Sequence, residues 1–146
     1  YRPADVFHGI FVTGGVCTLR NEGIMLAALA DTLEKLDIQL YEHYRALADM
    51  FLQAVRGVIA WQDKDTKLLH RIIPDPESEV DFAGNALVIY AIRKGVRLGV
   101  LDEEKYMPLV NRAYACLKED WMGAPDECEP LALGAVLLAR AEMGGK

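Results

Sequence analysis

The chain is poor in cysteine, has no long apolar run and carries no local signature of nucleotide, metal or covalent chemistry. Each absence excludes something. The 3 cysteines, Cys17, Cys116 and Cys128, lie at no metal-ligand spacing and form no CxxC pair. An odd count argues against a disulfide framework and leaves small buried or idle thiols, or at most one bridge. No apolar run approaches the ~18 residues that a membrane helix needs. No signal-peptide pattern opens the chain. P-loop, GxGxxG, HExxH and nucleophile-elbow patterns are all missing, so neither a cofactor nor a metal is expected. Positive charge is in deficit too: 16 Lys and Arg against 22 Asp and Glu give a net charge of −6. Such a chain as a whole repels nucleic acid and anionic membranes, and an anionic small substrate would have to be held by local cations. Residue 1 is Tyr, so a start inside a longer protein, or after processing, is expected. The compartment is left open, with the cytoplasm slightly favoured.

Apolar residues make up 52% of the 146, enough for one domain with a real core or for half of a larger one. Residues 1–19 show no helical period and read as a loop. The spacing of Met25, Leu26, Leu29, Leu33 and Leu36 predicts a helix over 21–36, with Asn21 as N-cap and Glu22 favoured by the dipole. A second helix is predicted over 40–60, close enough behind the first to be its antiparallel neighbour. Residues 61–80 form a long connection, a kind that is often functional, with a short strand over 68–73. A third helix is predicted over 83–98. A fourth starts near Glu103 or Tyr106 and ends near Trp121, with Asp102 as N-cap and Pro108 in the first turn. A fifth covers 130–143.

Three segments look alike: those beginning at Gly23, Gly84 and Gly134. Each is small, apolar nearly all round and preceded by a carboxylate, Glu22, Asp81 or Glu129. The second and fourth helices are amphipathic instead. This alternation predicts helical hairpins with the apolar helices in an inner layer, the amphipathic ones outside, and the N-terminal loops of the inner helices at one end. A solenoid of hairpins fits nearly as well.

Arg20-Asn21-Glu22-Gly23 is the sharpest polar cluster. It lies at a predicted helix N-terminus, where backbone donors and an Arg can both face an anion. A capped helix with an incidental surface Arg explains it as well. In that case Arg20 would point into solvent or be consumed by a structural pair, with Glu22 for example. His70-Arg71 lies in the long connection, and either reaches a polar substrate or is a solvated loop pair. Glu79 and Asp81 precede the third helix, where they also suit its dipole. Asp126, Glu127 and Glu129 form an acidic run before the fifth helix, solvated on the plainer reading; three loops with carboxylates at one end would also suit a sugar site. His43 lies on a charged helix face. Trp61 and Trp121 read as packing residues at hairpin corners.

The order Arg20-Asn-Glu-Gly23, Leu26-Ala-Ala-Leu-Ala-Asp-Thr-Leu33, Trp61-Gln-Asp63, Leu69-His70, Gly84-Asn-Ala86 and Tyr90-Ala-Ile-Arg-Lys-Gly-Val-Arg-Leu-Gly-Val-Leu-Asp102 resembles glycoside hydrolase family 105, whose fold is shared by the related family 88. The resemblance runs from about Arg20 onward; before it, only His8-Gly9 is similar to a His-containing loop of the family. It implies an all-α fold, an (α/α)6 toroid of six helical hairpins, of which this chain supplies a partial ring from the C-terminal portion. It implies an enzyme that removes terminal 4,5-unsaturated uronic acids from lyase-generated oligosaccharides. In that reaction an Asp of raised pKa protonates C4 while water adds at C5. It also implies substrate-binding roles for Arg20 (the uronate carboxylate), His8 and His70 (sugar hydrogen bonds), Glu22 (a hydroxyl acceptor) and Asp81. No cofactor is implied. The expected partners are the oligosaccharide and either the missing N-terminal half or a second copy.

The departures are as informative. The family's catalytic Asp belongs to a segment upstream of anything matched here, so the catalytic residue is unknown. Where the family often has Arg-Gly-Asn-Gly-Trp this chain has Arg20-Asn-Glu-Gly-Ile24, which removes an aromatic sugar platform. Gly-Leu-Trp-His becomes Lys67-Leu-Leu-His70, and Glu-Thr-Ser-Gly-Thr-Ala becomes Asp81-Phe-Ala-Gly-Asn-Ala86. These losses keep a second reading open, a non-catalytic helical-hairpin binding or interaction module.

Overall fold

A computed structural model of the protein describes residues 16–122 and 129–144, apart from the side chains of residues 121 and 122. Five helices appear among them, in the expected order. Helix α1 spans Leu19–Lys35, α2 Tyr41–Ile59, α3 Phe82–Arg97, α4 Glu103–Met122 and α5 Pro130–Glu142. The boundaries follow local chemistry. α1 begins two residues earlier than its apolar spacing predicts. Thr18, not Asn21, occupies the N-cap position, and its carbonyl accepts from Glu22 N at 3.2 Å. Arg20 is therefore inside the first turn. Asp37 reverses the chain after α1: its carboxylate accepts from Gln39 N at 2.9 Å and its carbonyl from Leu40 N at 2.9 Å. Asp81, expected before this helix as a carboxylate suited to its dipole, caps α3 by accepting from Gly84 N at 3.2 Å. Gly99, at φ +76, lets the chain leave α3 through a left-handed turn. Asp102 accepts from Glu104 N at 2.9 Å to open α4. Pro108 lies one turn deeper in α4 than the first turn expected for it.

Helix α3 is the centre. It packs against α1, α4 and α5, while α2 packs on α1. Twelve of the 16 residues of α3 are buried, against four on α2, Phe51, Ala54, Val55 and Val58. This is the inner and outer layering that the alternation of apolar and amphipathic helices predicts. Small residues set how closely the inner helices approach. A Cβ on Gly23 would sit 2.9 Å from Leu87 Cβ and 3.1 Å from the Gly84 carbonyl oxygen. A Cβ on Gly84 would sit 2.5 Å from Leu19 Cγ. Gly134 differs: it meets nothing within 4 Å and lies on an uncovered side of α5.

At the C-terminal ends of the inner helices an ionic network ties the layer together. Lys94 Nζ on α3 reaches Asp31 at 2.6 Å and Glu34 at 3.3 Å on α1, and the Tyr90 hydroxyl at 2.6 Å. Arg97 bridges Glu34 on α1 and Glu142 on α5, both at 2.6 Å. Burial by itself disfavours the Lys94 ammonium, but its bonds to Asp31, Tyr90 and Glu34 outweigh this and raise its pKa above the ordinary value.

Helix α5 buries only the small side of its surface, Ala132, Ala135 and Ala139. Leu131, Leu133, Leu137 and Leu138 are exposed, and all but Leu133 border an open apolar trough of ≈500 Å³. Among the described residues no helix is long and apolar enough to cross a membrane. The tight α1–α3 seam yields a direct test. Gly84→Ala forces Leu19 and the capping carboxylate of Asp81 aside and is expected to cost about 1–3 kcal/mol of stability, as overpacking of a filled core does. Urea denaturation measures this; an unchanged midpoint would show that the seam has slack.

Candidate functional site

The N-terminal ends of α1, α3 and α5 come together, as the hairpin pattern predicts. Each contributes one charged side chain. Arg20 stands in the first turn of α1, and Asp81 and Glu129 hold the N-cap positions of α3 and α5. Arg20 Nε lies 3.2 and 3.1 Å from Asp81 Oδ1 and Oδ2, and Nη2 lies 3.1 Å from Oδ1. Nη2 also pairs with Glu129 Oε1. The hydrogen bonds to Asp81, then those to Glu129, raise the Arg20 pKa above its ordinary value. Arg20 thus sits in a structural pair as the alternative reading required, but with Asp81 and Glu129, not Glu22.

Around this cluster lies a cleft of ≈370 Å³ lined by Arg20, Arg71, Glu79, Asp81, Phe82 and Glu129, among others. Its size falls within the range of small-molecule sites. The α5 trough is larger, but its walls are almost wholly apolar and offer nothing to orient a polar ligand. Arg71 pairs with Glu79 at 3.2 Å on the exposed rim. Among the described residues two guanidiniums face three carboxylates, one net negative charge.

The long connection builds one wall. Leu19 N donates to Arg71 O at 2.9 Å, Ile73 N to Cys17 O at 3.0 Å and Arg71 N to Glu79 O at 2.7 Å. Extended pieces around residues 17, 72 and 79 therefore lie side by side, joined by single bridges between Thr18 and Ile72 and between His70 and Val80. The short strand expected over 68–73 is present only in this form. Asn85, buried in α3, fixes the wall to the inner layer. Its amide donates to Leu69 O and accepts from Leu69 N, both at 2.8 Å, in the manner of a ladder pair.

The other predicted site residues fall as follows. His70 Nδ1 lies 2.6 Å from Ser78 O. A carbonyl only accepts, so Nδ1 carries the proton and Nε2 of the neutral ring is left as an acceptor. His70 does not border the cleft, although its neighbour Arg71 does. Glu22 is fully buried on the inward face of α1 and is not among the described residues that line the cleft. It acts on Cys17 instead: burial first, then the Glu22 charge, push that thiol up to about 12, leaving it unreactive at neutral pH. His8 lies outside the described residues. No metal-binding cluster occurs among the described residues.

The model of the Glycosyl Hydrolase Family 88 matches residues 19–143, nearly the whole chain and all five helices. The chain belongs to glycosyl hydrolase family 88. Solved structures agree in fold. A family 105 glycoside hydrolase of C. acetobutylicum is 23% identical at a TM-score of 0.78, covering 90% of this chain and 46% of that one. A family 88 glycosyl hydrolase from Bacteroides vulgatus is 20% identical at a TM-score of 0.76, covering 88% and 43%. A structure described as a polysaccharide lyase is 22% identical at a TM-score of 0.72, covering 88% and 42%. Among curated proteins none matches. The five described helices of this family 88 chain are thus part of the ring of an (α/α)6 toroid, and the chain spans less than half the length of those structures.

Two residues of the candidate site were less legible in the sequence. Glu129 stands in an acidic run that reads as solvated or as one of three carboxylates suited to a sugar; Pro130 after it marks a first helical position and puts Glu129 at the N-cap position, without the capping bond that Asp81 makes. Asn85 gave no signal beyond being a polar residue in an otherwise apolar helix. The two jobs of Asp81 are separable. Asp81→Ala removes both cap and ion pair and is expected to cost about 1–3 kcal/mol, whereas Asp81→Asn keeps the cap acceptor and should lose less. Equal losses in thermal or urea denaturation would show that the cap contributes nothing.

Proposed function

We propose that this chain is the C-terminal part of a glycoside hydrolase that acts on terminal 4,5-unsaturated uronic acids of lyase-generated oligosaccharides. Membership of family 88 supports the reaction class. The observation that carries the site is the meeting of Arg20, Asp81 and Glu129 at the N-terminal ends of three inner helices, beside a cleft of monosaccharide scale. Arg20 receives the uronate carboxylate, aided by the positive ends of the surrounding helix dipoles. Asp81 fixes the guanidinium plane. His8 hydrogen-bonds the sugar; His70, which does not border the cleft, supports its wall through the bond to Ser78 O. The proton donor to C4 comes from the remainder of the ring, which also covers the apolar side of α5.

A second reading has one observation in its favour. Ile24, half-exposed where related sequences have Trp, offers no aromatic face to a sugar, which suits a binding or interaction module. Loss of unsaturated-uronate absorbance in a lyase digest treated with the full-length protein separates the two readings. The 146-residue chain alone should be inactive, since its ring is open and no residue matches the family's proton donor. Turnover by the chain alone would move the proton donor into it and overturn the assignment.

In the full-length protein Arg20→Ala should weaken uronate binding by about 1.5–3 kcal/mol, the worth of a charged hydrogen bond, and leave neutral sugars nearly unaffected. Arg20→Lys should restore only part of the loss, because the fork geometry is gone. Isothermal titration with a uronate and a neutral sugar reads both effects; equal weakening for the two ligands would remove Arg20 from carboxylate recognition.

A further inference from the structure

The Arg20 guanidinium has two edges that can take a carboxylate in a two-point contact, the Nε–Nη2 edge and the Nη1–Nη2 edge. Asp81 occupies the first, with three contacts of 3.1–3.2 Å. It is buried, and Gly84 N also holds it as the cap of α3. Nothing that enters the cleft can displace it without undoing the start of that helix. Glu129 is held differently. It pairs with Nη2 through Oε1, and its side chain is 46% exposed. It makes no capping bond to its own helix. Asp81 bonds Nε and Nη2 and leaves Nη1 to other partners.

We infer that Glu129 is a specificity-determining residue: an internal carboxylate that occupies the second edge of Arg20 and yields it only to a ligand carboxylate able to take both Nη1 and Nη2. The inference rests on the proposed recognition of a uronate by Arg20. The energetics allow such an exchange. A half-exposed ion pair is worth little because water solvates both partners, whereas a two-point Arg–carboxylate contact is stronger and directional. Neutral sugars gain nothing from displacing Glu129. Small monodentate anions gain no more than they remove. With Glu129 seated, the described residues of the cleft carry one net negative charge, which lowers the affinity for every anion. Glu129 thus sets a threshold that a planar carboxylate fixed to a sugar ring passes.

The test is titration of the full-length protein with glucuronate, acetate and glucose, comparing wild type with Glu129→Gln and Arg20→Ala. Glu129→Gln should bind glucuronate about threefold to fivefold more tightly, the equivalent of one exposed ion pair removed. It should gain by a similar factor for acetate, whose carboxylate can take the same two-point contact, and stay unchanged for glucose. Its melting temperature should match wild type, since Glu129 caps nothing. Equal glucuronate affinity in wild type and Glu129→Gln, including no measurable binding by either, overturns the inference. Weaker binding in Glu129→Gln overturns it too and makes Glu129 a direct ligand contact. Arg20→Ala shows which idea failed. If it loses glucuronate while Glu129→Gln gains nothing, Arg20 recognition stands and the exchange falls. If Arg20→Ala binds glucuronate as wild type does, recognition by Arg20 falls and takes the exchange with it.

Discussion

The close approach of α1 and α3 is the constraint on which the rest of the structure depends. Gly23 and Gly84 stand where a side chain would strike the facing helix. Their absence of Cβ brings the two inner helices together, so α3 can be buried nearly all round. The same closeness brings the first turn of α1 beside the N-cap of α3, which puts Arg20 within reach of Asp81. At the other end it puts Asp31 and Glu34 against Lys94. The two ionic clusters are therefore consequences of one apolar seam. They fix its register along the helix axis, because a slip of one residue would separate both sets of partners.

The layering was legible because it is local. A helix to be buried on several sides must be apolar all round, and the segments after Gly23, Gly84 and Gly134 are. The cap at Asp102 was legible for the same reason. The pairing of Arg20 with Asp81 and Glu129 was not, since it joins residues about sixty to a hundred positions apart whose proximity exists only once three helices are docked. Glu22 is instructive. It was read as part of a surface motif, yet it stands on the stripe of Leu26, Leu29 and Leu33, at spacings of four and three. The stripe predicted an inward side chain; the cap assigned to Asn21 concealed it. With α1 starting at Leu19, Glu22 is a full turn inside the helix.

The long connection shows how a site wall can be built without regular structure. Three extended pieces share single bridges, too few for a sheet. Their free backbone groups would be costly to leave unsatisfied against the apolar inner layer. Asn85 answers this by presenting an amide, the same donor and acceptor pair as a backbone peptide, to Leu69. One polar residue inside an apolar helix thus ties the cleft wall to the core.

The charges at the mouth explain how a chain with a net charge of −6 can hold a cation in place without the cation being lost to solvent or collapsing onto a single partner. Helix N-termini carry partial positive charge, so an arginine in the first turn of α1 is disfavoured on its own. Two carboxylates at the caps of the neighbouring helices reverse that balance. One of them, buried and also bonded to Gly84 N, is part of the frame; the other, half-exposed and without a capping bond, is not. This inequality is what the proposed exchange at Arg20 draws on.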